Sequence, residues 1–157
     1  MDGITVSPMA ERHLSTLVRL EQVCFSEPWT RAGLAEELEN PAAVFAVAEC
    51  GGETVGYAGM HCVCGECYVD NVAVFPEFRR KGAAAALLSY LIDRARERDG
   101  VFLTLEVRES NFPARQTYAA FGFREEGRRK NFYRSPAEDA LILTLRFPNP
   151  QRKEELP

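Results

Sequence analysis

The chain has 157 residues, 46% of them hydrophobic, five cysteines, and a formal charge of −4 from 19 basic and 23 acidic side chains. That length fits one domain with a core of its own, and the acidic balance gives no bulk attraction to nucleic acid. The opening MDGITVSPMAERH has no basic stretch leading into an apolar run, and no apolar segment approaches the ~20 residues of a membrane span, so a cytoplasmic protein with reduced thiols is expected.

Residues 4–8 read as a first strand. From Ala10 to Cys24, Leu14, Leu17, Val18 and Glu21 recur at helical spacing, which predicts an amphipathic helix. FSEPW breaks it. A second helix starts at Thr30 as N-cap, with Trp29 before the cap and Leu34 four residues after it in the arrangement of a hydrophobic staple, and Asn40-Pro41 ends it. Three strand-like runs follow at 42–49, 54–63 and 67–75, joined by CGGE and CGE, and read as consecutive antiparallel hairpins. A long helix is predicted from 83 to about 99, with Leu87, Leu88, Leu91, Ile92 and Ala95 on its apolar side.

VFLTLEV (101–107) is the next strand. Asn111 can cap a further helix that turns Ala114, Tyr118 and Phe121 to one side and stops at Gly122. FREEG and DALILTLRF (139–147) supply the last strands. Strand 67–75, helix 83–99 and strand 101–107 form a βαβ unit, so those two strands should be parallel with a right-handed crossover, whereas the strands before them are antiparallel. The fold class is α/β (α+β) with a single mixed sheet. One domain over 1–148 is expected, with 149–157 as a flexible tail.

Arg79, Arg80, Lys81, Gly82, Ala83, Ala84 and Ala85 lie between a strand and a helix N-terminus. There unpaired N–H groups and the positive end of the helix dipole point outward. Small residues let a backbone approach closely, Gly82 permits left-handed φ, and three cations stand nearby. The stretch lacks Gly-Lys-Ser/Thr and Gly-x-Gly-x-x-Gly, so it is neither a nucleotide-hydrolysing loop nor a dinucleotide fingerprint. On these grounds alone it reads equally as a phosphate cradle and as a solvated basic turn.

NVAVFPEFRRKGAAAALL resembles the acetyl-CoA signature of the GNAT superfamily of N-acetyltransferases, Arg/Gln-x-x-Gly-x-Gly/Ala after a Val/Ala-rich strand, with Arg79, Gly82 and Ala84 at the fixed positions. FLTLEVRESNFPARQTYAAFGF is similar to the second half of the RimI-type ribosomal-protein alanine N-acetyltransferases, and CFSEPWT and RRKNFYRSPAEDALILTL fit that group too. The resemblance implies the GNAT fold, a mostly antiparallel sheet with helices on both faces. It also implies that backbone amides from Arg80 to Ala85 hold the pyrophosphate of acetyl-CoA, and that Val72, Ala73 and Val74 contact the thioester and pantetheine in a gap between the parallel strands. Asn111 matches a cofactor-contacting position.

The same resemblance makes Glu106 the general base and Tyr118 the acid that protonates the departing thiolate. By its residues alone, Glu106 is a strand carboxylate on the opposite face from Leu105 and Val107, free to meet solvent, and Tyr118 is a packing tyrosine. Phenol-to-thiolate transfer is uphill by only about 2 kcal/mol from the ordinary acidities, which a polarised site can reverse. An α-amine near pKa ~7.8 is about 14% neutral at pH ~7 and a lysine about 0.04%, so an N-terminal acceptor saves about 3.5 kcal/mol of deprotonation. The implied acceptor is the N-terminal alanine of a small-subunit ribosomal protein. Phe25, Trp29, Asn131, Phe132 and Tyr133 are candidates for the peptide walls.

No metal is expected. His61, Cys62, Cys64 and Cys67 offer four ligand types, but the spacing is poor for zinc and period two sends His61 and Cys62 to opposite faces. Cys24 and Cys50 read as small core or turn residues.

Overall fold

The strand-like runs of the first half fold as a meander. A computed structural model describes residues 3–148 and gives β1 (Ile4–Pro8), β2 (Ala43–Cys50), β3 (Glu53–Val63) and β4 (Glu66–Val74), each antiparallel to the one before. The turn between β3 and β4 takes Cys64 at φ 52° and Gly65 at φ 82°, the left-handed pair that matches the twist of a two-residue hairpin. Helix α3 (Ala83–Glu97) carries the chain back, and β5 (Phe102–Arg108) lies parallel to β4. Hairpin β6 (Arg124–Arg134) and β7 (Ala137–Arg146) then enters with β7 beside β5, giving the order β1-β2-β3-β4-β5-β7-β6. The expected mixed sheet and its parallel unit are both present.

Helices cover both faces. On one, the five predicted side chains of α3 (Leu87, Leu88, Leu91, Ile92, Ala95) are buried with Val69, Val74, Leu103, Leu105 and Leu141. Helix α4 (Phe112–Ala120) packs Ala114 and Tyr118 against the same cluster. On the other face α1 (Leu14–Cys24) and α2 (Arg31–Glu37) bury Leu14, Leu17, Leu20 and Leu34 against Phe45, Val47, Tyr57 and Ala73. Burial of each such leucine is worth roughly 2 kcal/mol.

Three boundaries differ from the sequence reading by more than two residues. The first helix begins as a tight 3-10 turn, Glu11–His13, where the Ala10 N–H donates to the buried His13 Nδ1 at 2.9 Å, and only then becomes α-helical. Helix α2 stops at Glu37, because the last turn tightens: the N–H groups of Leu38, Glu39 and Asn40 donate three residues back. Strand β6 runs to Arg134, far beyond FREEG. Its second half is largely exposed and is held by pairing with β7 rather than by burial, so no apolar alternation announces it.

Two features of β4 shape the groove on its β5 side. Its ladder with β5 has three rungs, Glu66↔Phe102, Cys67↔Leu103 and Tyr68↔Thr104, after which the strands part as expected. Opposite β3 the register slips between Gly59↔Asn71 and Met60↔Val69, so Asp70 is an extra residue. This bulge puts Asp70 and Asn71 on the α1–α2 side together, while Val69, Val72 and Val74 all pack toward α3.

Candidate active site

Helix α3 starts without a side-chain cap, from Gly82 at φ 90°. The first bond of the helix runs from the Ala86 N–H to the Gly82 carbonyl at 3.0 Å. The N–H groups of Ala83, Ala84 and Ala85 therefore lie ahead of the helical ladder. Arg80 also takes a left-handed φ, 64°, which a non-glycine residue adopts only under constraint. A Cβ built on Gly82 meets no atom within 4 Å, so the mouth of the helix is open. The three cations are not equivalent. Arg79 turns inward, its Nε donating to the Val74 carbonyl at 3.0 Å and its Nη2 to Cys24 Sγ at 3.5 Å, and so ties the loop to the end of β4. Lys81 lies over the Phe78 ring at 5.6 Å. Arg80 and Lys81 are left at the surface.

The end of β4 has no strand partner on its β5 side beyond Tyr68. Val72 is half-buried, Ala73 and Val74 are buried, and their backbone edge faces the fork. Glu106 stands on the β5 limb with its side chain only 7% exposed. Tyr68 donates its hydroxyl to Glu106 Oε2, and Arg129 Nε lies 3.4 Å from Oε1. The solvent-facing carboxylate that the residues alone allowed is thus a covered one.

Tyr118 is half-buried on α4, its ring 5.6 Å from that of Phe123. Among the described residues no side chain or backbone group bonds its hydroxyl, and burial, then the neighbouring Tyr133, pushes its pKa up to about 12. The Tyr133 pKa is likewise pushed up to about 12, by burial and then by the charge of Glu106. The phenol of Tyr133 thus feels Glu106 and is felt by Tyr118. Asn111 caps α4 through Oδ1, which accepts from the Ala114 N–H at 3.3 Å; among the described residues its Nδ2 has no hydrogen-bond acceptor.

Phe25 and Trp29 pack against the α1–α2 core, whereas Phe132 is exposed at 43% beside Tyr133 on β6. Asn131 takes φ 53° and donates its N–H to Asp139 Oδ1 at 2.9 Å. Among the described residues no group of three or more His, Cys, Asp and Glu side chains is placed to hold a metal ion, the hairpin cysteines included.

Sequence reasoning missed two polar clusters. Glu21 is fully buried: Oε1 accepts from the Trp29 N–H at 2.8 Å, and Oε2 from Tyr57 Oη at 2.6 Å and Asn71 Nδ2 at 3.0 Å. Burial raises its pKa against those three bonds. The signal was present, since Glu21 sits in the apolar stripe of α1. Second, His61 Nδ1 lies 2.5 Å from Asp70 Oδ2 and its Nε2 contacts Glu37 Oε2. With both carboxylates ionised, two acceptors on two ring nitrogens require the doubly protonated ring. Burial opposes that charge, but Asp70 and Glu37 together outweigh it and raise the His61 pKa. Asp70 is itself pushed up by burial more than His61 pulls it down, yet carboxylates on both sides of the ring favour the imidazolium.

The family model described as the acetyltransferase (GNAT) family matches residues 14–123. The chain belongs to the GNAT family of acetyltransferases. It is 32% identical over 143 residues to the Escherichia coli (strain K12) "[Ribosomal protein bS18]-alanine N-acetyltransferase", covering 90% of this chain and 96% of that one. It is likewise 32% identical over 148 residues to the Mycobacterium tuberculosis "N-alpha-acetyltransferase RimI", covering 90% and 92%. The crystal structure of the ribosomal-protein-S18-alanine N-acetyltransferase from Escherichia coli superposes with a TM-score of 0.85 at 30% identity, over 98% of this chain and 99% of that one. As a GNAT enzyme the chain is an N-acetyltransferase that uses acetyl-CoA, and solved neighbours of the fold carry coenzyme A. The open helix mouth, the two surface cations and the unpaired β4 edge fit such a cosubstrate: amides and positive charge for phosphate, a strand edge for an amide-bearing arm.

Proposed function

We propose that this GNAT enzyme acetylates the α-amine of an N-terminal alanine on a small-subunit ribosomal protein, in the cytoplasm. The observation that carries the reading is a covered carboxylate, Glu106, on one limb of the β4–β5 fork whose far end opens onto the uncapped mouth of α3. The Escherichia coli relative, named for ribosomal-protein alanine acetylation, points to the same acceptor.

In this reading the N–H groups from Arg80 to Ala85 hold the diphosphate, with Arg80 and Lys81 adding charge and Arg79 bracing the loop. The β4 edge at Val72, Ala73 and Val74 aligns the pantetheine arm, and Asn111 Nδ2 adds a donor. The bound thioester supplies an activated acetyl group. Glu106 takes the proton released by the attacking amine. Tyr118 gives its proton to the departing sulfur, a role open to a phenol that stays protonated across the neutral range. Phe25, Trp29 and the Asn131–Phe132–Tyr133 segment flank the acceptor.

A mass-detected screen of N-terminal peptides, run beside spermine and free lysine, tests the acceptor. Acetylation of an alanine-initiated peptide is expected. Turnover confined to the small amines would discard the proposal, and coenzyme binding without thiol release from any acceptor would discard catalysis.

A further inference from the structure

Glu106 is not placed to receive a proton alone. One oxygen accepts the Tyr68 hydroxyl and the other faces Arg129, and the side chain is 7% exposed, whereas Tyr68 is 36% exposed. The phenol is therefore the solvent-side end of the couple and the carboxylate its buried end. Tyr68 is also the last rung before β4 and β5 separate, so its ring stands at the crotch of the fork.

We propose that Tyr68 is a catalytic residue of this enzyme, relaying the acceptor's proton to Glu106. As the C–N bond forms, the nitrogen loses its N–H proton to Tyr68 Oη, and the proton already on Oη moves to Glu106 Oε2. Tyr118 protonates the sulfur as the C–S bond breaks, and the proton on Glu106 returns through Tyr68 and solvent to restore Tyr118. One proton leaves nitrogen and one reaches sulfur, so the cycle balances. The phenol never becomes a phenolate. Its surroundings fit this: burial, the Glu106 bond, and the charges of Glu106 and Asp70 together outweigh Arg129 and hold Tyr68 above the ordinary phenol range.

The inference rests on Glu106 as the base, and three variants separate the two claims. With an alanine-initiated peptide, Tyr68→Phe is expected to lower kcat about 10- to 100-fold, with the peptide KM and the calorimetric Kd for acetyl-CoA within about twofold of the parent. Tyr68→His, which also exchanges protons, should recover at least a third of the lost rate. The solvent proton inventory, curved when two protons move together, should become linear in Tyr68→Phe. A kcat within about twofold of the parent, or a loss that appears only as a raised peptide KM, would overturn the relay. Glu106→Gln with undiminished kcat would instead remove the base itself, whatever Tyr68→Phe does.

Discussion

Tyr118 and His61 show how the surroundings of one side chain set its chemistry. Tyr118 keeps its proton to about pH 12 because burial disfavours the phenolate, so its ionisation should not shape the rate at neutral pH. Tyr118→Phe removes only the hydroxyl. It is expected to lower kcat about 100-fold while leaving the Kd for acetyl-CoA unchanged by calorimetry; an undiminished kcat would take the acid role away. His61 works in the opposite direction. Its pKa is raised in the fold above the ordinary ~6.5 by Asp70 and Glu37. The stability it contributes is fully present below pH ~6.5 and is lost as pH rises through the raised value. Urea midpoints of the parent and His61→Gln should therefore differ most below pH ~6.5, and the difference should shrink as the pH rises above it. A constant gap would mean that His61 is not charged in the fold.

At the scale of elements, the caps were readable in advance because their chemistry is local. Thr30 accepts from the Gly33 N–H at 3.0 Å as its cap position predicts, and Asn111 does the same for Ala114. Thr30→Ala should cost about 1 kcal/mol, a fall of about 2–4 °C in Tm by scanning calorimetry. The apolar face of α3 was equally legible from its spacing. Gly82 is the sharpest test of the helix mouth. At φ 90° Gly82→Asp bears no more backbone strain than Gly82→Ala, but only aspartate adds negative charge at the helix mouth. Calorimetry should show acetyl-CoA binding at least about tenfold weaker in Gly82→Asp than in Gly82→Ala; equal affinities would move the diphosphate elsewhere. What the sequence did not disclose at this scale is non-local. Glu21 meets Tyr57 and Asn71 across 36 and 50 residues, and β6 beyond Gly127 exists because β7 pairs with it. Tyr68 passed unnoticed because only the pairing of β4 with β5 brings it to Glu106.

For the molecule as a whole, the site is a place where a continuous sheet stops being continuous. The antiparallel run of β2 to β4 and the parallel unit could be reasoned from element sequence, since a strand–helix–strand run leaves few topologies open. The bulge could not. Counting by twos along β4 puts Val69, Asn71 and Ala73 on one face, yet Val69 packs toward α3 while Asn71 and Ala73 lie toward α1. Hydrogen exchange read by mass spectrometry should find amides in 70–74 and 83–85 exchanging quickly in the free protein and slowing with coenzyme A. Slowing confined to the β3–β4 hairpin would place the ligand in the wrong part of the fold.

Asp70 carries one last consequence. Deleting it would leave every inward valine of β4 pointing inward, so the core would accept the shortened chain. The strand would lose its bend and is expected to run on beside β5, closing the groove proposed for the coenzyme. A single missing codon is then expected to yield a folded protein in which calorimetry detects no acetyl-CoA binding.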